Sequence, residues 1–309
     1  MQNRNSLSSQ TKQEISATQK NVKDCTDNNE IANTINSHFP SLPDDYPIAY
    51  AADKWFFYGL PFYITRDVLV PRFDTEVLVQ TVINHINTIK QISPKVRGNQ
   101  VCQAQSIKIL DLCTGSGCIA IALSASIKAE IYASDISKKA LTVARKNARL
   151  NKVKINFIHS NLFQPINNKT NNAKTSNPQL PTFNYIICNP PYIKTGELGL
   201  YDKSTLLEPR LALDGGADGL DFYRKIANQA PNYLRKGNDG TPGTLALEIG
   251  HDQAQSVKSI LQNAGFNDIK IIKDTQNLDR VVLARSGIKS QQSNLKRNLV
   301  QGSKKCKKN

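Results

Sequence analysis

The stretch ILDLCTGSGCIAIAL, residues 109–123, decides the fold of this chain of 309 residues. An apolar run ends at Asp111 and Leu112, glycines follow at Gly115 and Gly117, and a segment rich in alanine and isoleucine begins at once. Glycine lets a backbone turn sharply and lets a ligand approach it closely. A buried strand, a glycine turn and a helix in direct succession therefore indicate the first unit of an α/β fold with a ligand site.

Strand and helix patterns alternate after this stretch. Seven segments have strand character, namely SIKILDL, EIYASD, KINFIHS, FNYIICN, TLALEIG, IKIIKD and RVVLAR. Regular alternation predicts a parallel sheet with right-handed crossovers. The last two segments are too close together for a crossover helix, so we expect them to form a hairpin. The predicted fold is α/β and Rossmann-like, with a seven-stranded, mostly parallel sheet whose last strand is antiparallel.

Four segments are expected along the chain. Residues 1–45 are polar and form a short N-terminal region, helical in part or disordered. Residues 46–106 contain WFFYGLPFYITRDVLVPR, which predicts a β-hairpin, and FDTEVLVQTVINHINTIK, which predicts a connecting helix. Residues 107–285 form the α/β domain, and residues 286–309 form a basic, disordered tail.

The composition limits the class of protein. The formal net charge is +15, of which +7 comes from residues 286–309, where no acid occurs. This tail either improves solubility or attracts RNA or the ribosome surface. No apolar stretch has transmembrane length and no signal peptide is evident, so we expect a cytoplasmic protein. The six cysteines lack metal-site spacing and are interpreted as reduced thiols, without zinc.

Two acids flank the glycine turn. Asp111 at the end of the first strand would repel a pyrophosphate but suits a ligand with an ammonium group. Asp135 ends the second strand, where an acid commonly accepts both ribose hydroxyls. Together they predict S-adenosyl-L-methionine, an adenosine that carries an amino acid. The alternative is a tight structural turn with an unrelated surface aspartate.

The fourth strand ends in YIICNPPYIK, residues 185–194. Ligands of open α/β sheets bind at the carboxyl ends of the strands, so Asn189 should face the same crevice as Gly115 and Asp135. A polyproline turn capped by asparagine is the alternative interpretation of NPPY.

These motifs carry a resemblance to a known family. DLCTGSG together with NPPY resembles class I S-adenosylmethionine-dependent methyltransferases that act on planar nitrogens. The segments at residues 46–79, 207–226 and 247–261 are also similar to the protein-(glutamine) methyltransferases of the HemK/PrmC family. They read YPIAYAADKWFFYGLPFYITRDVLVPRFDTEVLV, LEPRLALDGGADGLDFYRKI and LEIGHDQAQSVKSIL. The resemblance covers Tyr46 to Arg285.

The resemblance implies an activity and a partner. The family methylates the side-chain amide nitrogen of the glutamine in the Gly-Gly-Gln motif of class I peptide chain release factors, a step of translation termination. A sister branch modifies a glutamine in a large-subunit ribosomal protein. PRFDTE, residues 71–76, and KDTQNLDRVVLAR, residues 273–285, resemble the release-factor branch. We therefore expect release factors as partners of a monomeric enzyme, no membrane, and nucleic-acid contact only through the basic tail.

The resemblance also assigns site residues. The cofactor would be held by Asp111, Cys113, Thr114, Gly115, Ser116, Gly117, Asp135, Asn161, Leu162 and Asn189, and the substrate by Asn189, Pro190, Pro191 and Tyr192. The catalytic set is Asn189, whose amide oxygen accepts one substrate N–H, Pro190, whose carbonyl accepts the other, and Tyr192, which packs on the flat amide. No metal is expected. Cys113 stands where many members have glycine, Asn161 stands where an aspartate is common, and residues 1–45 are shorter than the usual N-terminal domain.

Two other functions remain open at this point. Adenine's exocyclic amine is also planar, and NPPY also serves nucleic-acid adenine methyltransferases, but PRFDTE favours the protein-modifying family. A relic of the fold could instead act as a basic RNA-binding module without catalysis, and intact Asp111, Asp135 and Asn189 argue against it. An assay that compares activity on DNA with activity on release factor tests the first alternative. A measurement of S-adenosylmethionine binding tests the second.

Overall fold

The computed structural model describes residues 25–38, 46–92, 106–165, 180–235 and 241–287. Its ten strands are β1 (Trp55–Phe57), β2 (Leu60–Phe62), β3 (Lys108–Leu112), β4 (Glu130–Asp135), β5 (Asn156–Asn161), β6 (Gln164–Pro165), β7 (Tyr185–Cys188), β8 (Thr244–Glu248), β9 (Phe266–Lys273) and β10 (Asp279–Ser286). Its eight α-helices are α1 (Asn28–His38), α2 (Ile48–Ala52), α3 (Phe73–Ile92), α4 (Cys118–Ser126), α5 (Lys138–Leu150), α6 (Lys203–Leu206), α7 (Asp221–Gln229) and α8 (Ala254–Asn263).

Strands β3 to β10 form one sheet in the order β6-β5-β4-β3-β7-β8-β10-β9. Strands β5, β4, β3, β7 and β8 are parallel, and β10 runs antiparallel to both of its neighbours. The seven predicted strands and the antiparallel last strand are therefore confirmed. The two-residue edge strand β6, antiparallel to β5, adds an eighth strand that the sequence pattern did not indicate.

Apolar side chains of the central strands alternate between two cores, as a period of two requires. Ile109 and Ile187 face one core, which α3, α4 and α5 cover. Leu110 and Ile186 face the other core, which α7 and α8 cover. The result is a sheet between two helical layers, with the carboxyl ends of β3, β4 and β7 at one edge.

The segment before this domain packs on it directly. The predicted hairpin is present as β1 and β2, with Trp55 opposite Phe62. Helix α1 buries Ile31 and Ile35, and the Asn28 side chain exchanges two hydrogen bonds with the backbone of Phe56 at 2.7 and 2.9 Å. The described part of the N-terminal region is thus a helix that is docked on the hairpin. The predictions for residues 1–24, for the basic tail from residue 288 and for residues 166–179 lie outside the described residues.

Candidate active site

The glycine turn lies between β3 and α4 and is fixed by the two predicted acids. Thr114 Oγ1 donates to Asp111 Oδ2 at 2.5 Å, and the Gly115 amide donates to Asp135 Oδ2 at 2.9 Å. The other oxygen of Asp135 accepts the Ser137 amide at 2.8 Å, where α5 begins. Asp111, Gly115 and Asp135 are therefore brought together, as the sequence indicated.

The turn has room and polarity for a ligand with a positive charge. Asp111 is buried, and its Oδ1 has no hydrogen-bond partner among the described residues. A Cβ added at Gly115, where φ is +54°, would have no atom within 4 Å apart from those of its chain neighbours. Burial raises the pKa of Asp111 to about 7, although bonds from Thr114 and Ala120 oppose the shift. A cationic group beside Asp111 would favour its ionised form, so these residues fit the amino-acid end of S-adenosylmethionine.

The positions expected near the adenine lie at the ends of β4 and β5. Asn161 is exposed, while Leu162 follows it with a φ of 49° and is buried. Ile136 directly follows Asp135 and is 42% exposed. An exposed apolar side chain next to the ribose acid offers a surface for a flat base, so we add Ile136 to the candidate cofactor residues.

A residue that the sequence analysis missed connects the turn to the hairpin. Asn147 on α5 is fully buried. Its Nδ2 donates to the carbonyl oxygens of Ser116 and Tyr63 at 2.9 and 3.0 Å, and its Oδ1 accepts the Tyr63 amide at 2.7 Å. The hairpin segment therefore supports the backbone of the glycine turn through one side chain.

The NPPY segment borders a cavity of about 490 Å³. Asn189, Pro190 and Tyr192 line it, whereas Pro191 and the residues of the glycine turn do not. Nδ2 of Asn189 donates to Thr75 Oγ1 at 3.2 Å, an arrangement that leaves its Oδ1 as the free acceptor. The cavity therefore borders Asn189 and is not lined by the glycine turn.

The glycine turn and the NPPY segment come together where β3 and β7 end. Leu112 is paired with Cys188, the residue before Asn189. Cys113 packs against the core cluster that contains Cys188. Burial raises the pKa of Cys188 well above its usual value, and the Cys113 thiol raises it further. Asn189 therefore directly follows a side chain that contacts the cofactor turn.

Tyr192 is held by a buried glutamine and by a close glycine contact. Gln253 donates to the Tyr192 carbonyl at 2.9 Å and accepts from Gly250 N and Tyr223 Oη at 3.0 and 3.3 Å. Gly219 has a φ of +74°, and a Cβ there would lie 2.4 Å from the Tyr192 carbonyl oxygen. Residues 207–226 and 247–261, which resemble the HemK/PrmC family, thus contain Gly219 and Gln253, the two residues that contact the Tyr192 carbonyl at the end of NPPY.

A buried carboxylate lies behind Asn189. Glu248 ends β8, is 1% exposed and lines the cavity. Burial raises its pKa to about 7, while the Thr75 hydroxyl, the charge of Arg280 and the Asn189 amide act in the opposite direction. Its Oε2 has no hydrogen-bond partner among the described residues. Arg280 forms ion pairs with Asp74 and Asp274 at 3.2 and 3.0 Å.

The PRFDTE block, residues 71–76, contacts four separate parts of the molecule. Arg72 pairs with Glu208 of the LEPR segment, and Asp74 pairs with Arg280 near the end of the chain. Thr75 contacts Asn189, and Glu76 Oε1 accepts the Tyr58 amide of the hairpin at 2.7 Å. The motifs that are far apart in the sequence therefore meet around one cavity.

Comparisons with known proteins agree with this arrangement. The family model described as Methyltransferase small domain matches residues 99–202. Among solved structures, the hMettl16 catalytic domain in complex with MAT2A 3'UTR hairpin 6 has a TM-score of 0.51 at 14% identity, covering 84% of this chain and 82% of that chain. That likeness concerns the fold alone. The fold and the domain match define a Rossmann-like, class I S-adenosylmethionine-dependent methyltransferase.

Curated relatives narrow the class. The release factor glutamine methyltransferase of Thermodesulfovibrio yellowstonii is 37% identical over 265 residues, 84% of either chain. That of Clostridium acetobutylicum is 38% identical over 248 residues, covering 78% of this chain and 75% of the relative. This chain belongs to the release factor glutamine methyltransferase family.

Four residues around the site were not singled out from the sequence, namely Thr75, Asn147, Glu248 and Gln253. Asn147 lies at a buried position of an amphipathic helix, and Glu248 directly ends the apolar run TLAL. A polar residue at a position where the pattern predicts an apolar one indicates a buried hydrogen bond, because such a group needs a partner when it is buried. The sequence does not reveal which partner it has.

Proposed function

We propose that this enzyme transfers a methyl group from S-adenosyl-L-methionine to the side-chain amide nitrogen of a glutamine in peptide chain release factors. The observation that carries the proposal is the contact between Thr75 of PRFDTE and Asn189 of NPPY. NPPY by itself suits any planar NH₂ group, whereas the PRFDTE block resembles the release-factor branch. Their contact supports one site that unites the two features.

The chemistry of the substrate defines what the protein must contribute. S-adenosyl-L-methionine supplies a methyl group on a positively charged sulfur, which is already a strong electrophile. An amide nitrogen is a poor nucleophile because its lone pair is delocalised into the carbonyl. The protein therefore has to orient the amide, and positioning of this kind contributes as much as about 7–11 kcal/mol at the ideal limit.

Three residues provide that orientation in our proposal. Asn189 Oδ1 accepts one N–H of the substrate amide and the Pro190 carbonyl accepts the other. Tyr192 packs on the flat face and excludes groups that are not planar. Burial raises the pKa of Tyr192 well above its usual value, so its ring stays neutral. Methyl transfer breaks the carbon–sulfur bond of the sulfonium and forms an N-methylated amide cation, which is strongly acidic and loses its proton to water without a dedicated base.

Cofactor binding is assigned to the other side of Asn189. Asp111 and the turn from Cys113 to Gly117 would hold the amino-acid end, and Asp135 would accept the ribose hydroxyls. Ile136, Asn161 and Leu162 would border the adenine. Together with Asn189, the proposed set includes all the cofactor positions inferred from the sequence, with Ile136 added.

Mass spectrometry of a release factor after incubation with the enzyme and S-adenosyl-L-methionine tests the function. We expect one added methyl group, on the glutamine of the Gly-Gly-Gln peptide. Methylation of DNA, RNA or a ribosomal protein in place of the release factor would contradict the proposal. Among the described residues, no helix is long and apolar enough to span a membrane. We propose that the enzyme acts in the cytoplasm, where release factors work, and that it is a monomer.

A further inference from the structure

Asn189 is useful for catalysis in only one orientation of its amide. Its Oδ1 must face the substrate as an acceptor, because an NH₂ group in that place would oppose the substrate's own NH₂ group. The two ends of an asparagine amide have almost the same shape, so packing alone does not choose between them. The choice depends on the hydrogen-bond partners behind the side chain.

Two buried partners lie behind Asn189. Thr75, in the first turn of α3, accepts its Nδ2 at 3.2 Å and is 2% exposed. The buried Glu248 carboxylate lines the same cavity as Asn189, and its Oε2 has no hydrogen-bond partner among the described residues. The Thr75 hydroxyl and the Asn189 amide both lower the pKa of this carboxyl group. Arg280, whose charge lowers the pKa of Glu248, forms its ion pairs with Asp74 and Asp274, so the carboxylate remains an acceptor for this network.

The logic of donors and acceptors fixes the direction of the network. An ionised carboxylate only accepts, so a Thr75 hydroxyl that turns toward it donates its proton there and presents a lone pair to Asn189, whose Nδ2 donates to Thr75 Oγ1. Both groups then require the NH₂ end of Asn189 on their side. We propose that Glu248 and Thr75 are positioning residues, which hold the Asn189 amide with Oδ1 toward the substrate glutamine. This inference rests on the proposed function.

A protonated Glu248 would weaken that selection, since it could donate to Asn189 or Thr75. The groups that face Glu248 come from every element packed on it, namely Asp74 of α3, Cys118 of α4, Tyr192 after β7, Tyr223 of α7 and Arg280 of β10. Burial raises the pKa of Cys118 to about 12 and that of Tyr223 well above its usual value, so these two stay neutral near pH 7. Glu248 is the group that changes charge in that range.

The first test is a set of variants assayed by single-turnover methylation of the full release factor. Thr75→Val keeps the shape but removes the hydroxyl, and we expect a rate on the order of 10-fold lower. The KM for release factor and the calorimetric Kd for S-adenosylmethionine should change little. Thr75→Ser should restore the rate. Thr244→Val is the matched control, because Thr244 is equally buried at the opposite end of β8.

A double-mutant cycle separates positioning from a general structural role. If Thr75 acts through Asn189, Thr75→Val should have no further effect on the residual rate of Asn189→Ala. Additive losses, or a Thr75→Val rate equal to that of wild type, would overturn the proposal.

The pH profile tests Glu248 independently. Asp111 also has a pKa of about 7, so the profile is measured at saturating S-adenosylmethionine, whose ammonium group would keep Asp111 ionised. Under this condition the wild-type single-turnover rate should rise as Glu248 ionises near pH 7, and this limb should be absent in Glu248→Gln. An unchanged limb in Glu248→Gln would overturn its role. A wild-type enzyme that binds S-adenosylmethionine but leaves the release factor unmodified would instead refute the proposed function, so the two failures are distinguishable.

Discussion

Thr75 and Asn189 are 114 positions apart in the chain, yet Nδ2 of Asn189 donates to Oγ1 of Thr75 at 3.2 Å. Thr75 lies in the first turn of the connecting helix before the α/β domain, and Asn189 directly follows a central strand of that domain. The contact makes the segment before the domain part of the candidate active site. Asn147, which bonds both Tyr63 and Ser116, joins the same segment to the cofactor side.

Replacement of Asn189 by alanine removes the predicted acceptor of the substrate amide. We expect methyl transfer to fall by about 100-fold or more, because a substrate that is no longer oriented loses most of the benefit of positioning. Much of the binding of S-adenosylmethionine should remain. Single-turnover rates and calorimetry measure the two effects, and a variant with near wild-type turnover would refute the mechanism.

Asp135→Ala should weaken the binding of S-adenosylmethionine by about 10- to 100-fold, since hydrogen bonds to a charged acceptor are lost. Calorimetry gives the dissociation constant directly. Asp67→Ala is the control for the loss of one negative charge, because Asp67 is a surface residue paired with Lys139. If the constant for Asp135→Ala matches that of the control, the ribose assignment is wrong.

Gly219→Ala should damage both stability and activity. Its new Cβ would lie 2.4 Å from the Tyr192 carbonyl oxygen, in addition to the cost of a positive φ. Gly59→Ala has nearly the same φ, +71°, but open space around the Cβ, so it should cost only about 1–2 kcal/mol of unfolding free energy and leave activity unchanged. Thermal unfolding and turnover compare the pair, and equal effects in both variants would count against a tight contact at Tyr192.

The Arg72–Glu208 ion pair should contribute to stability because Glu208 is buried. Arg72→Ala removes the cationic partner of the Glu208 carboxylate. The carboxylate then keeps the hydrogen bond from the Val70 amide, at 3.1 Å. We expect a loss of about 1–3 kcal/mol in the free energy of unfolding, discounted because Arg72 is 41% exposed. Adding Glu208→Gln to Arg72→Ala should recover part of the loss in denaturant unfolding. A double variant that is no more stable than Arg72→Ala would show that the buried charge is not the cause.

The unfolding free energy of the ligand-free enzyme should depend on Glu248. Burial raises the folded-state pKa of Glu248 to about 7, so the folded state keeps a proton that the unfolded state has released. Stability from this group is therefore greatest at low pH and falls as the pH rises from about 4.5 to about 7, by up to roughly 1.4 kcal/mol per pH unit. The lowered pKa of His85, about 4, acts in the opposite direction.

The comparison with Glu248→Gln isolates this contribution, because His85 is present in both proteins. Denaturant unfolding at several pH values should show the variant gaining stability relative to wild type as the pH increases toward 7. Parallel curves for the two proteins would mean that Glu248 does not titrate in this range.

Local patterns in the sequence were sufficient for the fold and for the centre of the site. The strand, glycine turn and helix of residues 109–123, the seven strands and the antiparallel last strand all follow from short-range periodicity and connection length. The placement of Asp111, Asp135 and Asn189 followed as well, because the carboxyl ends of parallel strands meet at one edge of a sheet. The two-residue strand β6 was missed, since so short a pairing has no pattern of its own.

The sequence by itself determined which groups are present at the sheet edge, and the tertiary structure decided how they are held. Thr75 in a first helical turn, Asn147 within a helix and Gln253 at the start of another are ordinary residues for their positions. Their roles come from partners on other layers, Asn189, Ser116 and Tyr192, which only the packing of helices on the sheet brings within 3.2 Å. A buried polar side chain must find a partner, and because hydrogen bonds act over such short distances, that partner is set by the folded geometry and not by spacing along the chain.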